Sequence, residues 1–416
     1  MEFFKLIKTE TFWREFFDFS AEKVMPDHKV LNRVRKIIEK KLYENYTEEF
    51  FKEWPIPKYV KIPRYNTKKT RNVFIYDTDY NIILKAMAYY LLLKYNDNFA
   101  NNSLAYTWGR GPKTAFARLK SFKLTKKDII YKNDFTDYFN QIDLNILEPK
   151  LKEFFKDDLG LVEFIMTLLR DENVLYKNKP LKMETKGVMA GTPISGILAN
   201  VYMHELDIKM AKRKYKYLRY ADDTLIVGTE ALEYFKEELA KLNIKLNPKK
   251  EEIFNIQTGI TFLGFKYIGK KIDISDEAKA KMKSRMKRRA RWYQKWARVN
   301  NVPIEIAIKD YIGGINEKLY TDLEDSTNWS LWYFTNINTV ETVKWLDKYY
   351  INCIRYLDSG TWVHNKKYYR LSYQDIKELG FVSLVNTYYR VKKGKPIEYN
   401  PSYKYRRHKR AIRYPK

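Results

Sequence analysis

Two adjacent carboxylates set inside an apolar run constrain this 416-residue chain more than any other feature. In Tyr220-Ala221-Asp222-Asp223 the pair follows Leu218 and precedes Leu225, Ile226, Val227 and Gly228. Apolar residues so close on both sides leave room for two short strands and a tight turn, a hairpin at a sheet edge. Carboxylates held at its tip suit Mg²⁺, a hard cation that takes oxygen ligands and shares them with phosphates. Taken alone, the tetrapeptide is equally an ordinary polar turn.

A third acid bears on that choice. Ile129-Ile130-Tyr131-Lys132-Asn133-Asp134-Phe135 is a short apolar strand running into Asp134. Phe135 to Leu147 then reads as a helix burying Tyr138, Phe139, Ile142 and Leu147. Asp134 is either the cap of that helix or a partner of the pair. If its strand lies beside the 218–227 hairpin, Asp134, Asp222 and Asp223 meet, and two Mg²⁺ ions roughly 3.5–4 Å apart could be clamped between them. Such a site serves phosphoryl transfer, where positioning and electrostatics carry the reaction and no histidine base is needed.

Composition narrows the partner. Seventy-nine basic against 51 acidic residues give a net charge of +28 and a pI near 9.6, which favours a polyanion. An anionic membrane is the rival. The longest apolar runs, such as Ala86–Leu93 with its two tyrosines, fall well short of the roughly 18 residues of a spanning helix. No membrane partner is therefore expected, and Met1-Glu2-Phe3-Phe4 does not open a signal peptide. Cys353 is the single cysteine, so no internal disulfide framework forms and a reducing, cytoplasmic setting is expected. His28, His204, His364 and His408 with that cysteine are too few and too scattered for a structural zinc site.

The other segments take their places around the carboxylates. Residues 1–57 read as a helical N-terminal extension closed by Pro55 and Pro57. Tyr59–Pro63 and Asn72–Ile75 read as strands around a polar loop with Lys68, Lys69 and Arg71, cations that are either solvated or placed to grip a triphosphate. A helix follows from Asp79 to about Tyr95. The turn Tyr106-Thr107-Trp108-Gly109-Arg110-Gly111-Pro112 is either a structured loop or a stacking support for single-stranded template through Arg110 and its aromatics. Helix is expected over Phe154–Leu169 and a hairpin over Val174–Met183. Gly187 to Gly196 is a glycine-punctuated loop entering an apolar helix that runs to about Met210; it permits close backbone approach of a ligand and lacks the Lys-Ser/Thr of a Walker loop. Glu230–Leu242 reads as a helix, with short strands at Ile244–Leu246 and Thr261–Phe265. Ser275 to Asn300 is a basic helix, ten Lys or Arg against two acids with interleaved Trp292, Tyr293 and Trp296. That pattern points to nucleic acid over a merely solvated face. Helices are expected at about 304–320 and 340–357. The last stretch, Lys366 to Lys416, is strongly basic, and its end, Tyr403 to Arg410, is expected to order only on RNA.

Five of these segments stand in an order that resembles the successive blocks of bacterial reverse transcriptases: Asn133–Phe139, Met189–Ser195, Tyr220–Asp223, Leu246–Lys250 and Phe262–Phe265. The resemblance covers about residues 58–270. It implies an α+β right hand of fingers, palm and thumb with an antiparallel palm sheet. The divisions would be 1–57 (extension), 58–128 (fingers), 129–274 (palm with interleaved finger elements), 275–358 (thumb) and 359–416 (RNA-binding tail). It implies RNA-templated DNA synthesis with two Mg²⁺ ions, Mn²⁺ being able to substitute, and as partners an RNA template, dNTPs and the DNA product. Asp134, Asp222 and Asp223 would bind metal with the Phe135 carbonyl. Lys250 would protonate the departing pyrophosphate. Phe139 falls at the steric-gate position, so dNTPs would be preferred. Lys68, Lys69, Arg71, Ala190 and Gly191 would border the nucleotide, and Phe262, Leu263, Gly264 and Phe265 would form the primer grip. Arg110, Lys283, Lys287, Arg288, Arg291, Arg406 and Arg407 would contact nucleic acid.

Two departures stand out. The family's usual Pro-Gln-Gly is Met189-Ala190-Gly191 here, and Gly196 stands where proline is common. With no endonuclease domain, the chain looks more like free-standing prokaryotic lineages, defence-associated and unknown-group, that work with their own structured noncoding RNA. The alternatives are an intron-type maturase and a template-independent or protein-primed DNA polymerase of abortive-infection type.

Overall fold

The computed structural model describes residues 2–23, 35–36, 38–39, 41–63, 70–184, 186–321, 328–362 and 368–399. Lys68, Lys69, Arg406 and Arg407 lie outside them. The chain divides into two compact units, Met1–Ile256 and Gln257–Lys416.

In the first unit a core common to two sheets begins at the N-terminus. Helices α1 (Glu2–Leu6) and α2 (Glu10–Lys23) bury Phe3, Trp13, Phe16 and Phe17. Asp158, almost fully buried, accepts the Phe3 N–H at 2.9 Å and the Tyr90 hydroxyl at 3.1 Å, so one carboxylate ties α1 to the body. Helix α3 (Glu48–Lys52) is capped by Thr47. Strands β1 (Lys58–Pro63) and β2 (Thr70–Ile75) pair antiparallel. Helix α4 (Thr78–Tyr95) buries residues nearly all round, as expected of a helix without a polar face. Helix α5 spans Pro112–Ser121.

The segment after β3 (Ile130–Asp134) departs from the single expected helix. The Thr136 N–H donates to the Lys245 carbonyl at 2.9 Å and the Asn247 N–H to the Asp134 carbonyl at 2.8 Å. This backbone pairing holds 134–136 extended. Helix begins only at α6 (Tyr138–Gln141), breaks at the extended Ile142, and resumes at α7 (Leu144–Phe154) with Asp143 as its cap. Tyr138, Phe139, Ile142 and Leu147 are nonetheless all buried. Helix α8 is Leu159–Arg170. The hairpin β4 (Asn173–Tyr176) to β5 (Lys179–Lys182) turns at Lys177 and Asn178, both at positive φ, the geometry that suits strand twist. The fingers sheet runs β2-β1-β4-β5.

Helix α9 (Ser195–Lys212) leads to β6 (Tyr217–Tyr220), β7 (Asp223–Val227) and α10 (Thr229–Ala240). Strand β8 (Glu252–Phe254), which the sequence pattern did not show, completes a palm sheet of order β6-β7-β3-β8. Every pairing in it is antiparallel.

The second unit opens with β9 (Ile260–Phe262), β10 (Phe265–Ile268) and β11 (Lys271–Ile274), a three-stranded antiparallel sheet. Residues 261–265, expected as one strand, are a hairpin, because Leu263 and Gly264 both adopt positive φ. Helix α11 (Asp276–Val299) starts where Ser275 Oγ accepts the Ala278 N–H at 3.2 Å, with Asp276 and Glu277 in its first turn. It buries Met282, Met286, Ala290 and Ala297. Helices α12 (Ile304–Tyr320), α13 (Trp329–Phe334) and α14 (Glu341–Ser359) follow.

Within the C-terminal stretch, residues 368–399 carry two helices, while 403–410, expected to order only on RNA, lie outside the described residues. Helices α15 (Tyr373–Glu378) and α16 (Leu384–Lys392) are pinned to the helical body. The Leu384 N–H donates to Asp347 at 2.7 Å, and the Asn316 amide to the Gly380 carbonyl at 2.8 Å. Among the described residues no helix is long and apolar enough to cross a membrane.

Candidate active site

The β6–β7 connection is two residues long, with Tyr220 paired to Asp223 and Ala221 at φ +58°. A β-carbon at that φ costs of order 1 kcal/mol or more, so something must hold the turn. Arg219 does. It is fully buried and ion-paired to Asp207 of α9, which is 1% exposed. Its guanidinium also donates to Asn200 Oδ1 at 3.0 Å, Ser103 Oγ at 2.9 Å and the Ala221 carbonyl at 3.2 Å. Tyr217 adds a hydroxyl to Asp207 at 2.8 Å. Sequence reasoning passed over both charges. The one available signal was their setting, an arginine inside a strand and an acid inside an otherwise apolar helix face.

Asp134 and Asp223 are register partners across the antiparallel β3–β7 pair, and Asp222 sits beside them in the turn. Burial pushes the Asp223 carboxyl up to about 7, and the Asp222 charge adds to the effect. Asp222 is raised as well, by burial and then by Asp134, with Lys250 and Arg71 opposing. The carboxylates therefore feel one another as anions. Lys250 Nζ donates to Asp134 Oδ2 at 2.6 Å. It is brought there because the Asn247 N–H is bonded to the end of β3 and Asn247 caps a short turn at Pro248–Lys250.

Among the described residues no three acidic, imidazole or thiol groups stand preassembled around one ion position. The donor set still fits a divalent cation. It is all oxygen, it gathers three negative charges at one sheet edge, and burial leaves Asp222 and Asp223 short of compensation.

Around the carboxylates, Phe135 buries its ring against Tyr138 and Phe235, so only its backbone faces the strand end. Phe139 is 7% exposed and meets Tyr106 edge-on, centroids 5.9 Å apart. Tyr106 itself, at φ +55°, lies over Gly196; a β-carbon there would stand 2.4 Å from its ring. The missing proline thus makes room for a tyrosine. Gly187 (φ +51°) lets the glycine loop cross the Phe139 carbonyl, which a β-carbon would approach to 2.1 Å.

Several of the residues expected to make direct contacts have partners within the protein. Ala190 is buried and its carbonyl accepts the Phe74 N–H at 2.8 Å, while Gly191 packs on Val73. Both seat β2, which carries Arg71. Arg110 is engaged by the carbonyls of Ala100, Ser103 and Phe99 at 2.6, 3.0 and 3.1 Å, so it ties a loop together. Phe262 and Phe265 bury their rings, leaving the Leu263-Gly264 turn as what that hairpin presents. Arg71 is exposed, and its charge reaches Asp222. In the second unit Lys283 lies 5.6 Å from the Trp345 and Tyr349 rings and Lys287 5.8 Å from Trp362, while Arg288 and Arg291 are exposed.

Among solved structures the chain is similar to apo telomerase from Candida tropicalis truncated from its C-terminal domain (17% identity, TM-score 0.40, 53% of this chain and 55% of that one). It is similar also to Candida albicans telomerase in complex with a TWJ fragment of telomeric RNA (13%, 0.39, 84% and 71%). Candida tropicalis telomerase in complex with the same kind of fragment is a third (14%, 0.43, 78% and 63%). The chain thus spans little more than half the length of the first of these, and at such scores the likeness is loose. No curated protein matches it. Residues 56–267, just over half of the chain, match the model of the reverse transcriptase (RNA-dependent DNA polymerase) family. The α+β arrangement of an antiparallel palm sheet with helices and a fingers sheet is that of right-hand polymerases. The chain belongs to the reverse transcriptase family.

Proposed function

We propose that the chain is an RNA-templated DNA polymerase whose site is Asp134, Asp222 and Asp223. The observation that carries this reading is the register pairing of Asp134 with Asp223 beside the Asp222 turn, with Lys250 bonded to Asp134. Two Mg²⁺ ions, when bound by these carboxylates and the Phe135 carbonyl, would activate the primer 3′-hydroxyl and offset charge on the triphosphate. The chain's own residues do the rest. Lys250 holds a proton within reach of Asp134 and delivers it to the departing pyrophosphate. Arg71, with Lys68 and Lys69, grips the triphosphate, Arg as a fork and Lys as point charges. Phe139, backed by Tyr138 and Tyr106, is a firm wall against a ribose 2′-hydroxyl. The Leu263-Gly264 turn bears on the primer, and the cations of α11 on the duplex backbone.

The partner is RNA, and the net charge of +28 supports it. We assign the chain to the free-standing, defence-associated bacterial group, acting in the cytoplasm with its own structured noncoding RNA. Ala190, where the family's glutamine is absent, supports a lineage with its own priming mode. The test is to express the protein with its native flanking DNA, purify it, and sequence the RNA and DNA that accompany it. One abundant RNA with complementary DNA supports the proposal. Protein-linked DNA of simple composition matching no RNA replaces it with template-independent synthesis. Intron RNA with spliced products and no DNA replaces it with a maturase.

A further inference from the structure

We propose that the second unit carries a separate phosphate-binding pocket, which takes the phosphate of a nucleotide, free or at the end of a nucleic-acid strand. The proposal does not rest on the polymerase reading, because every residue of the pocket lies in Gln257–Lys416 and none belongs to the carboxylate site.

The cavity is about 530 Å³, within the range of small-ligand sites and far larger than a phosphate group alone. One face of α14 forms its wall, with Lys344, Lys348, Asn352 and Arg355 recurring at three- to four-residue spacing. Tyr369 closes it from a following segment. The Arg355 guanidinium lies 3.6 Å from the centroid of the Tyr369 ring. Stacking at that distance fixes the plane of the fork before any ligand arrives. Among the described residues, Arg355 Nε is buried with no hydrogen-bond partner, a state that ordinarily marks a missing ligand or water. Lys344 and Lys348 are exposed and make no ion pair among the described residues.

The one carboxylate at the site does not cancel these charges. Asp347 accepts the Leu384 N–H at 2.7 Å through one oxygen and the Ser383 hydroxyl at 3.1 Å through the other. Both oxygens are spent on holding α16 to α14. Three cations and an amide therefore face a cavity with a single, already bonded acid. An oriented arginine fork with flanking lysines matches a phosphate dianion. The remaining volume, bordered by Ile351 and Tyr369, suits a nucleoside attached to it.

The experiment is phenylglyoxal modification of the full chain in EDTA, with Arg355 followed by peptide mass mapping. The probes are inorganic phosphate, deoxyadenosine 5′-monophosphate, and a short single-stranded RNA with or without a 5′-phosphate. The nucleotide is expected to slow Arg355 modification about tenfold. Replacing both exposed lysines (Lys344→Ala, Lys348→Ala), which leaves the core untouched, is expected to raise the half-protecting concentration by about tenfold. Protection by the monophosphate at the concentration at which 5′-phosphorylated RNA protects assigns a free nucleotide. Protection by 5′-phosphorylated RNA at much lower concentration assigns a strand end. Equal protection by 5′-hydroxyl RNA would overturn the pocket in favour of general backbone contact. Absence of protection by every probe, or an Arg355 that does not react in the free protein, would also overturn it.

Discussion

Replacing Arg219 by Met should destabilise the protein by about 3–5 kcal/mol, the cost of leaving a buried charge unpaired. The structure says why the upper part of that range applies. Asp207 is 1% exposed, and after the substitution it keeps only the Tyr217 hydroxyl and whatever reaches it by rearrangement. Asn200, Ser103 and the Ala221 carbonyl lose a donor in the same step. With a urea slope of about 3 kcal/mol per molar, the unfolding midpoint should fall by about 1.3–1.7 M. Asp207→Leu should cost a similar amount. The double variant should cost no more than either single one, giving a coupling energy of at least about 3–5 kcal/mol. Far-UV circular dichroism in urea reads all four corners of that cycle. The double variant should also lose roughly a hundredfold in synthesis despite being folded, because the turn carrying Asp222 is no longer held to its place. Strictly additive costs, or a single substitution costing under about 1 kcal/mol, would refute the reasoning.

Three other outcomes follow from the site and its surroundings. Lys250→Met should lower the single-turnover rate by about 10²–10⁴-fold, the range for loss of a general acid, with little change in nucleotide affinity, and Lys250→Arg should restore part of it. Phe139→Val should cut the preference for dNTP over NTP in primer extension by about tenfold or more, and unchanged discrimination would remove the ring from the gate role. Burial pushes the Cys353 thiol up to about 12, so at pH 8 only about one thiol in 10⁴ is ionised. Alkylation of the native protein should then be slow and rise about tenfold per pH unit toward pH 10, while urea should release it.

What the sequence made legible follows from how local the cause was. The β3 and β6–β7 strands could be read because short apolar runs and a two-residue polar turn are local signals, and pairing Asp134 with Asp223 needed only that those strands be neighbours. The capped basic helix α11 was legible for the same reason, with Ser275 and its acids marking the start. Long-range backbone bonds were not. The break after Asp134 comes from pairing with Lys245 and Asn247, over a hundred residues away, and strand β8 forms only because β3 is there to receive it. Leu263-Gly264 hid a hairpin because a leucine at positive φ is not an expected turn residue. Charge was the hardest signal to read. The Arg110 turn was open between a structured loop and a template support, and the bonds of Arg110 to three carbonyls show how it ties its loop together. Arg219 and Asp207 went unread because charged residues are almost never buried unless paired, and sequence does not show the pair.

The most direct measurement is primer extension on a defined RNA template with dNTPs and Mg²⁺, comparing the parent protein with Asp222→Asn. The substitution removes a negative charge from the sheet edge with almost no change in shape. The account predicts full-length complementary DNA from the parent, and none from the variant despite undiminished RNA binding and an unfolding midpoint no lower than the parent's, since burial and Asp134 already disfavour the Asp222 charge. Comparable DNA synthesis by the folded variant would contradict it, because the carboxylate edge formed by Asp134, Asp222 and Asp223 would then not be where the chemistry happens.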